Sequence, residues 1–146
     1  MKAIVAVALL LAALAQPAAA ALSAAQQSAL DRAVIDHAEG RLPAAQRAFE
    51  QLARQGVPAA AYNLGVMHLE EQLPGASVAA ARRWFEKASA GGFVTAQFAL
   101  GQLYESGRLG KPDLVAAQRW YEKAAAAGSV DAQVAAGTAY YLGRGA

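Results

Sequence analysis

The sequence predicts an all-α solenoid of stacked antiparallel helix pairs, on three observations: a 36-residue internal repeat, helix caps and stops in the same phase, and an abundance of alanine. A shift of 36 positions superimposes Gly65, Gly101 and Gly137, then Trp84 and Trp120, then Phe49, Phe85 and Tyr121. Gly56, Gly92 and Gly128 coincide as well, as do Ala60, Ala96 and Ala132. A fixed period of ~20 to 50 residues marks stacked supersecondary units, none of which buries its apolar face alone. Hydrophobic residues make up 56% of the 146, many of them alanine, the best helix former.

The first residues form a separate object. Met1-Lys2 is a short positive region, Ala3 to Ala15 is apolar, and Gln16-Pro17 precedes the small-residue tract Ala18 to Ala21. This is the pattern of a secretory signal peptide, with cleavage expected after Ala20 or Ala21 and a periplasmic or secreted destination. The apolar run, about 13 residues, is shorter than the ~20 needed to span a bilayer, so no membrane span is expected after cleavage. The chain has no cysteine, which leaves stability to packing without disulfides. Its 13 basic and 11 acidic residues contain no basic run, so the balance gives no footprint for nucleic acid.

The elements follow in order. Ser23 is an N-cap type for a helix running to about Glu39, with Leu30, Val34 and Ala38 on one face. Gly40 to Pro43 makes a tight turn, and Ala45, Ala48, Phe49 and Leu52 repeat at helical spacing in a second helix over 43–54. Two more regular pairs follow: helix A over 60–71 with helix B over 78–90, then helix A over 96–106 with helix B over 114–127. Ser77 and Asp113 stand before the B helices, Thr95 and Asp131 before A helices, and all four are N-cap types. Gly56, Gly92 and Gly128 are expected to end B helices at positive φ. A final A helix runs from Ala132 to Gly145, and no helix B follows it in the sequence. That half unit fits a short cap, an open end meeting a partner or a second copy, or a sequence continuing past residue 146. The expected organisation is therefore a signal peptide over 1–21, an irregular first pair over 22–56, full units over 57–92 and 93–128, and a half unit over 129–146.

Within each unit, Leu64-Gly65 and Leu100-Gly101 place a residue without a side chain on the inner face of helix A. Helix B can then approach closely, and Trp84-Phe85 or Trp120-Tyr121 supply the rings that fill the core, each large ring burying ~150 to 250 Å². The pattern A-x3-LG-x2-Y-x2-G followed by A-x2-W-Y/F-E-K-A-x3-G resembles the Sel1-like repeat family, a relative of the tetratricopeptide solenoids. The best copy matches at Ala96, Leu100, Gly101, Tyr104, Gly107, Ala117, Trp120, Tyr121, Lys123, Ala124 and Gly128. The copy before it matches at Ala60, Leu64, Gly65, Ala81, Trp84, Phe85, Lys87, Ala88 and Gly92, but carries His68 in place of tyrosine. The resemblance implies a right-handed superhelix whose concave surface binds proteins or envelope ligands, as an adaptor or regulator. Some cysteine-rich relatives are associated with weak β-lactamase or penicillin-binding activity, and peptidoglycan binding is the corresponding alternative. Lacking cysteine, this chain departs from that branch.

Catalytic signatures are absent from the sequence. There is no G-x-S-x-G, no S-x-x-K, and His37 and His68 lie on different helices with no metal-site spacing. No enzyme activity, cofactor or metal is expected. Gly107 to Lys111 lacks both the preceding strand and the Gly-Lys-Ser/Thr of a phosphate loop, and reads as a turn. Glu70 and Glu71, adjacent on a helix, point about 100° apart and do not converge. His68 is expected to be a hydrogen-bonded, half-buried core residue, and His37 a helix-end cation favoured by the dipole. If Leu100, Leu103 and Tyr104 point inward, Phe98, Gln102 and Glu105 point away from their own helix B. With Tyr62 and Val66 before them and Thr138 and Tyr141 after, they form the candidate binding groove, unless the rings pack between neighbouring A helices. The expected partner is another protein, from the cell envelope, and the open end at Tyr140 and Leu142 could also meet a second copy.

Overall fold

The computed structural model describes residues 21–144, so the predicted signal peptide lies outside the described residues except for Ala21. Among the described residues seven helices follow one another: α1 Ala24–Ala38, α2 Leu42–Arg54, α3 Pro58–Leu69, α4 Val78–Ala90, α5 Val94–Ser106, α6 Leu114–Ala126 and α7 Val130–Tyr141. Each packs chiefly on the helix before it and the helix after it, with the closest pairings α3 on α4 and α5 on α6. This serial packing makes the fold an all-α solenoid.

The period is kept at atomic detail. Helices α2, α4 and α6 begin at residues 42, 78 and 114, and α3, α5 and α7 begin at 58, 94 and 130. Ser23 caps α1 through a capping box in which its hydroxyl accepts from Gln26 N and the Gln26 side chain accepts from Ser23 N. Ser77 accepts from Ala80 N at 3.0 Å and Asp113 from Ala116 N at 2.9 Å, as expected of N-caps. Thr95 and Asp131, however, do not cap. Gly92 and Gly128 take φ of 84° and 98° and turn the chain at once, so Phe93 and Ser129 become the N-caps and the helices start two residues earlier. Thr95 and Asp131 then fall in the first turn, where the acid suits the positive end of the helix.

The core is a column of small and large residues in register. Ala45, Ala81 and Ala117 are buried on the B helices together with Phe49, Phe85 and Tyr121, facing Ala60, Leu64, Ala96 and Leu100 on the A helices. The glycines decide how close the helices come. A Cβ added at Gly65 would stand 2.5 Å from the Phe85 ring, and one at Gly101 would stand 2.4 Å from Tyr121. Both separations are shorter than any van der Waals contact. Trp84 and Trp120 differ from expectation, for they are only partly buried while Phe85 and Tyr121 fill the centre. The reason is helical geometry: consecutive residues point about 100° apart, so only one ring of each pair can face the glycine. The tryptophans lie at the edge of the core, with Lys87 Nζ 5.3 Å and Lys123 Nζ 5.0 Å from their ring centres.

Phe85→Ala is therefore expected to cost ~3 to 5 kcal/mol by denaturant unfolding, and Trp84→Ala clearly less. The glycines provide an internal comparison, because nothing lies within 4 Å of a Cβ at Gly137. Gly101→Ala should destabilise by ~1 to 3 kcal/mol through overpacking, whereas Gly137→Ala should stabilise by ~0.5 to 1 kcal/mol through helix propensity alone.

Candidate functional site

The residues of the candidate groove separate into two groups. Tyr62 is half-buried, its ring 5.6 Å from Phe85 and 5.2 Å from Phe93, and Val66 is partly buried against the core. Phe98 stands 5.6 Å from the Tyr121 ring, and the Tyr121 hydroxyl donates to Glu105 Oε2 at 2.6 Å. Burial, reinforced by the Glu105 carboxylate, pushes the Tyr121 phenol well above its ordinary range, so it remains a donor. Glu105 also lies 3.7 Å from the Arg144 guanidinium.

These contacts correct the expected orientation. Phe98 and Glu105 do not point away from their own helix B; they clasp its tyrosine from either side. Residues three or four apart share one helical face, so Phe98, Gly101 and Glu105 must lie together, as must Tyr62 and Gly65. The face that admits the ring is the face those side chains occupy. Gln102, Thr138 and Tyr141 remain exposed, Tyr141 at 89%. On α7 no B-helix ring covers Gly137, and Tyr140 is 82% exposed.

The histidines also differ from each other. His37, in the last turn of α1, has Nε2 2.7 Å from Gln72 Oε1, an acceptor, so the ring is assigned as donating and ties α1 to the turn after α3. His68 is partly buried as expected, but its Nδ1 is enclosed without a hydrogen-bond partner, which corrects the expectation of a hydrogen-bonded residue. Burial, then the positive charge of Arg83, lowers its pKa below the ordinary 6.5, with Glu50 opposing. Arg83 was not singled out by the sequence pattern and Lys87 only as a position of the repeat motif, yet they share an open cleft with His68. The signal available in the sequence was the loss of the motif tyrosine at His68, in phase with Tyr104. Among the described residues no group of three or more His, Asp or Glu could hold a metal ion, and no helix is long and apolar enough to cross a membrane.

Comparison with known proteins agrees with this geometry. The Sel1 repeat family matches residues 58–93 and 94–129. The chain is similar to a Sel1 repeat protein from Oxalobacter formigenes, with 27% identity and a TM-score of 0.68 over 78% of this chain and 47% of that one. It is similar also to a protective antigen of uropathogenic Escherichia coli strains described as displaying an SLR fold, with 33% identity and a TM-score of 0.66 over 71% of this chain and 22% of that one. The chain thus spans less than half the length of either. No curated protein matches it.

Two expected outcomes test the site. Phe98→Ser should lower the melting temperature, because the ring belongs to the core around Tyr121. For His68 the sign follows from the lowered pKa: the unfolded chain takes up the proton first, so stability contributed by the neutral ring is present above pH ~6.5 and lost as pH falls. The charged groups acting on this ring are Arg83 on α4 and Glu50 on α2. His68→Tyr should flatten the decline of stability between pH ~7 and ~5, measured by urea unfolding at each pH. The two central helix pairs, residues 58–129, are Sel1 repeats, and the chain is a Sel1-repeat protein.

Proposed function

We propose that this chain is an exported scaffold that binds another protein of the cell envelope, as an adaptor or regulator, without bond chemistry. The observation that carries the reading is the division of labour along the repeat. Residues in phase, such as Gly101, Tyr121 and Leu100, are committed to packing, while Gln102, Thr138 and Tyr141 are exposed at positions the packing does not dictate. Stacked repeats present an extended surface whose side chains can vary without disturbing the core, and this is how solenoids bind proteins. The tract Met1 to Ala21 supports export, because a positive start, an apolar stretch and small residues before the cut are what signal peptidase recognises.

Two measurements test this reading. The secreted protein should begin at Ala21 or Leu22 by intact mass, and a chain retaining Met1 would overturn export. Affinity capture from an envelope extract should retain a specific protein, and Gln102→Arg with Tyr141→Ser should release it while melting is unchanged. Turnover of a chromogenic β-lactam by the purified chain would overturn binding without chemistry.

A further inference from the structure

The second helix pair holds an open cleft of about 490 Å³ between the end of α3 and the outer side of α4. That volume lies within the ~300 to 1,000 Å³ typical of small-ligand sites. His68, Ser77, Ala80, Arg83, Trp84 and Lys87 line it, and no carboxylate does. Arg83 and Lys87 are exposed, and neither forms an ion pair among the described residues. Glu86, the nearest acid in sequence, leans instead toward Arg82 at 3.8 Å. Lys87 Nζ lies 5.3 Å from the centre of the Trp84 ring, so its charge stands at the aromatic wall of the cleft. Ser77 accepts from Ala80 N and keeps its own hydroxyl hydrogen to donate.

The other pairs serve as internal comparisons, because each lining position has a counterpart 36 residues away. In the following pair Asp113 stands for Ser77 and Tyr104 for His68, so an acid takes the place of the serine and a phenol that of the imidazole. In the preceding pair Ala48 replaces Trp84 and Gln51 replaces Lys87. Among the described residues, the pair over 58–90 alone adds an imidazole to an unpaired arginine, an unpaired lysine and an aromatic wall.

We infer that this cleft receives one carboxylate side chain, an aspartate or glutamate of a partner polypeptide. The Arg83 guanidinium is a planar fork that matches a carboxylate in two parallel hydrogen bonds, Lys87 adds a second charge, and Trp84 with Ala80 covers the ligand's methylenes. A continuous polyanion is disfavoured, since Glu50, Glu86 and Glu122 recur three residues after Arg47, Arg83 and Arg119 and interrupt the outer faces of the B helices. One discrete acidic group meets no such repulsion. The inference rests on the protein-binding reading above and names its partner's chemistry.

The test follows the His68 ring signals by NMR while the chain is titrated with an acetylated, amidated Gly-Glu-Gly peptide, its Gly-Gln-Gly counterpart, and inorganic phosphate. The glutamate peptide should bind saturably and the glutamine peptide at least about tenfold more weakly, as expected for losing a charge-assisted hydrogen bond. Arg83→Gln or Lys87→Gln should weaken the glutamate peptide by a similar factor, while Arg119→Gln should not, with circular dichroism confirming that each variant is folded. Equal response to both peptides, no response, or a response to phosphate alone would overturn the cleft. A captured partner held equally well by the Arg83→Gln, Lys87→Gln chain would overturn the cleft and leave the scaffold reading standing. Peptide binding by a chain that captures no protein would overturn the scaffold reading and leave the cleft standing.

Discussion

Everything in this fold depends on an aromatic ring seated directly on a glycine. At Gly65 and Gly101 the A helix has no side chain to keep the B helix away, and the rings of Phe85 and Tyr121 come within 2.5 and 2.4 Å of where a Cβ would be. The close approach sets the spacing within the pair, and the spacing sets which other residues are buried. Tyr62 and Phe98 are partly buried against those rings because they sit three residues before the glycines, on the same face. Helix propensity alone would argue against glycine in mid-helix, at ~0.5 to 1 kcal/mol relative to alanine. Burial of a whole ring outweighs that cost several times over.

The same contact explains what could and could not be read from the residues. The seven helices, their 36-residue phase and the caps at Ser23, Ser77 and Asp113 were legible because they depend on local chemistry or on self-comparison of the chain. The starts of α3, α5 and α7 were misplaced by two residues. Thr95 and Asp131 are good cap types, but the glycines before them reverse the chain so sharply that Phe93 and Ser129 take the position first. Phe98 and Glu105 were misdirected although the period contains the answer, since Gly101 cannot face helix B while residues three before and four after it face elsewhere. The choice of Phe85 and Tyr121 over the tryptophans as the innermost rings was harder to see. It depends on which of two neighbours points at the glycine, a rotation of about 100° that composition cannot fix.

Repetition also separates scaffold from surface in a way that a unique fold does not allow. A residue that recurs in every unit answers to the packing common to all units; a residue that departs from the phase answers to something else. The substitution of His68 for the tyrosine seen at Tyr104 is such a departure, and its physical consequence is definite: an enclosed Nδ1 without a partner and a ring pushed toward its neutral form by burial and by Arg83. An orphaned buried nitrogen costs stability, by ~1 to 3 kcal/mol where desolvation is complete. Nothing in the core recovers that cost, because no donor or acceptor among the described residues reaches the atom.

Charge placement completes the contrast between units. Glu105 is occupied by the Tyr121 hydroxyl and Glu86 leans toward Arg82, so these two acids of the central units are engaged within their own repeats. Among the described residues Arg83 and Lys87 form no ion pair, although the chain as a whole is nearly balanced at a net charge of +2. Balance over the chain and imbalance at one cleft are compatible because the solenoid distributes its surface unit by unit, and each unit sets its own local field within a screening length of ~8 to 10 Å. The sequence, read as a line, shows basic residues scattered without a run. Folding brings residues 68, 83 and 87 to one cleft, and the imidazole there, with its enclosed and unsatisfied nitrogen, distinguishes the second helix pair from the pair that follows it.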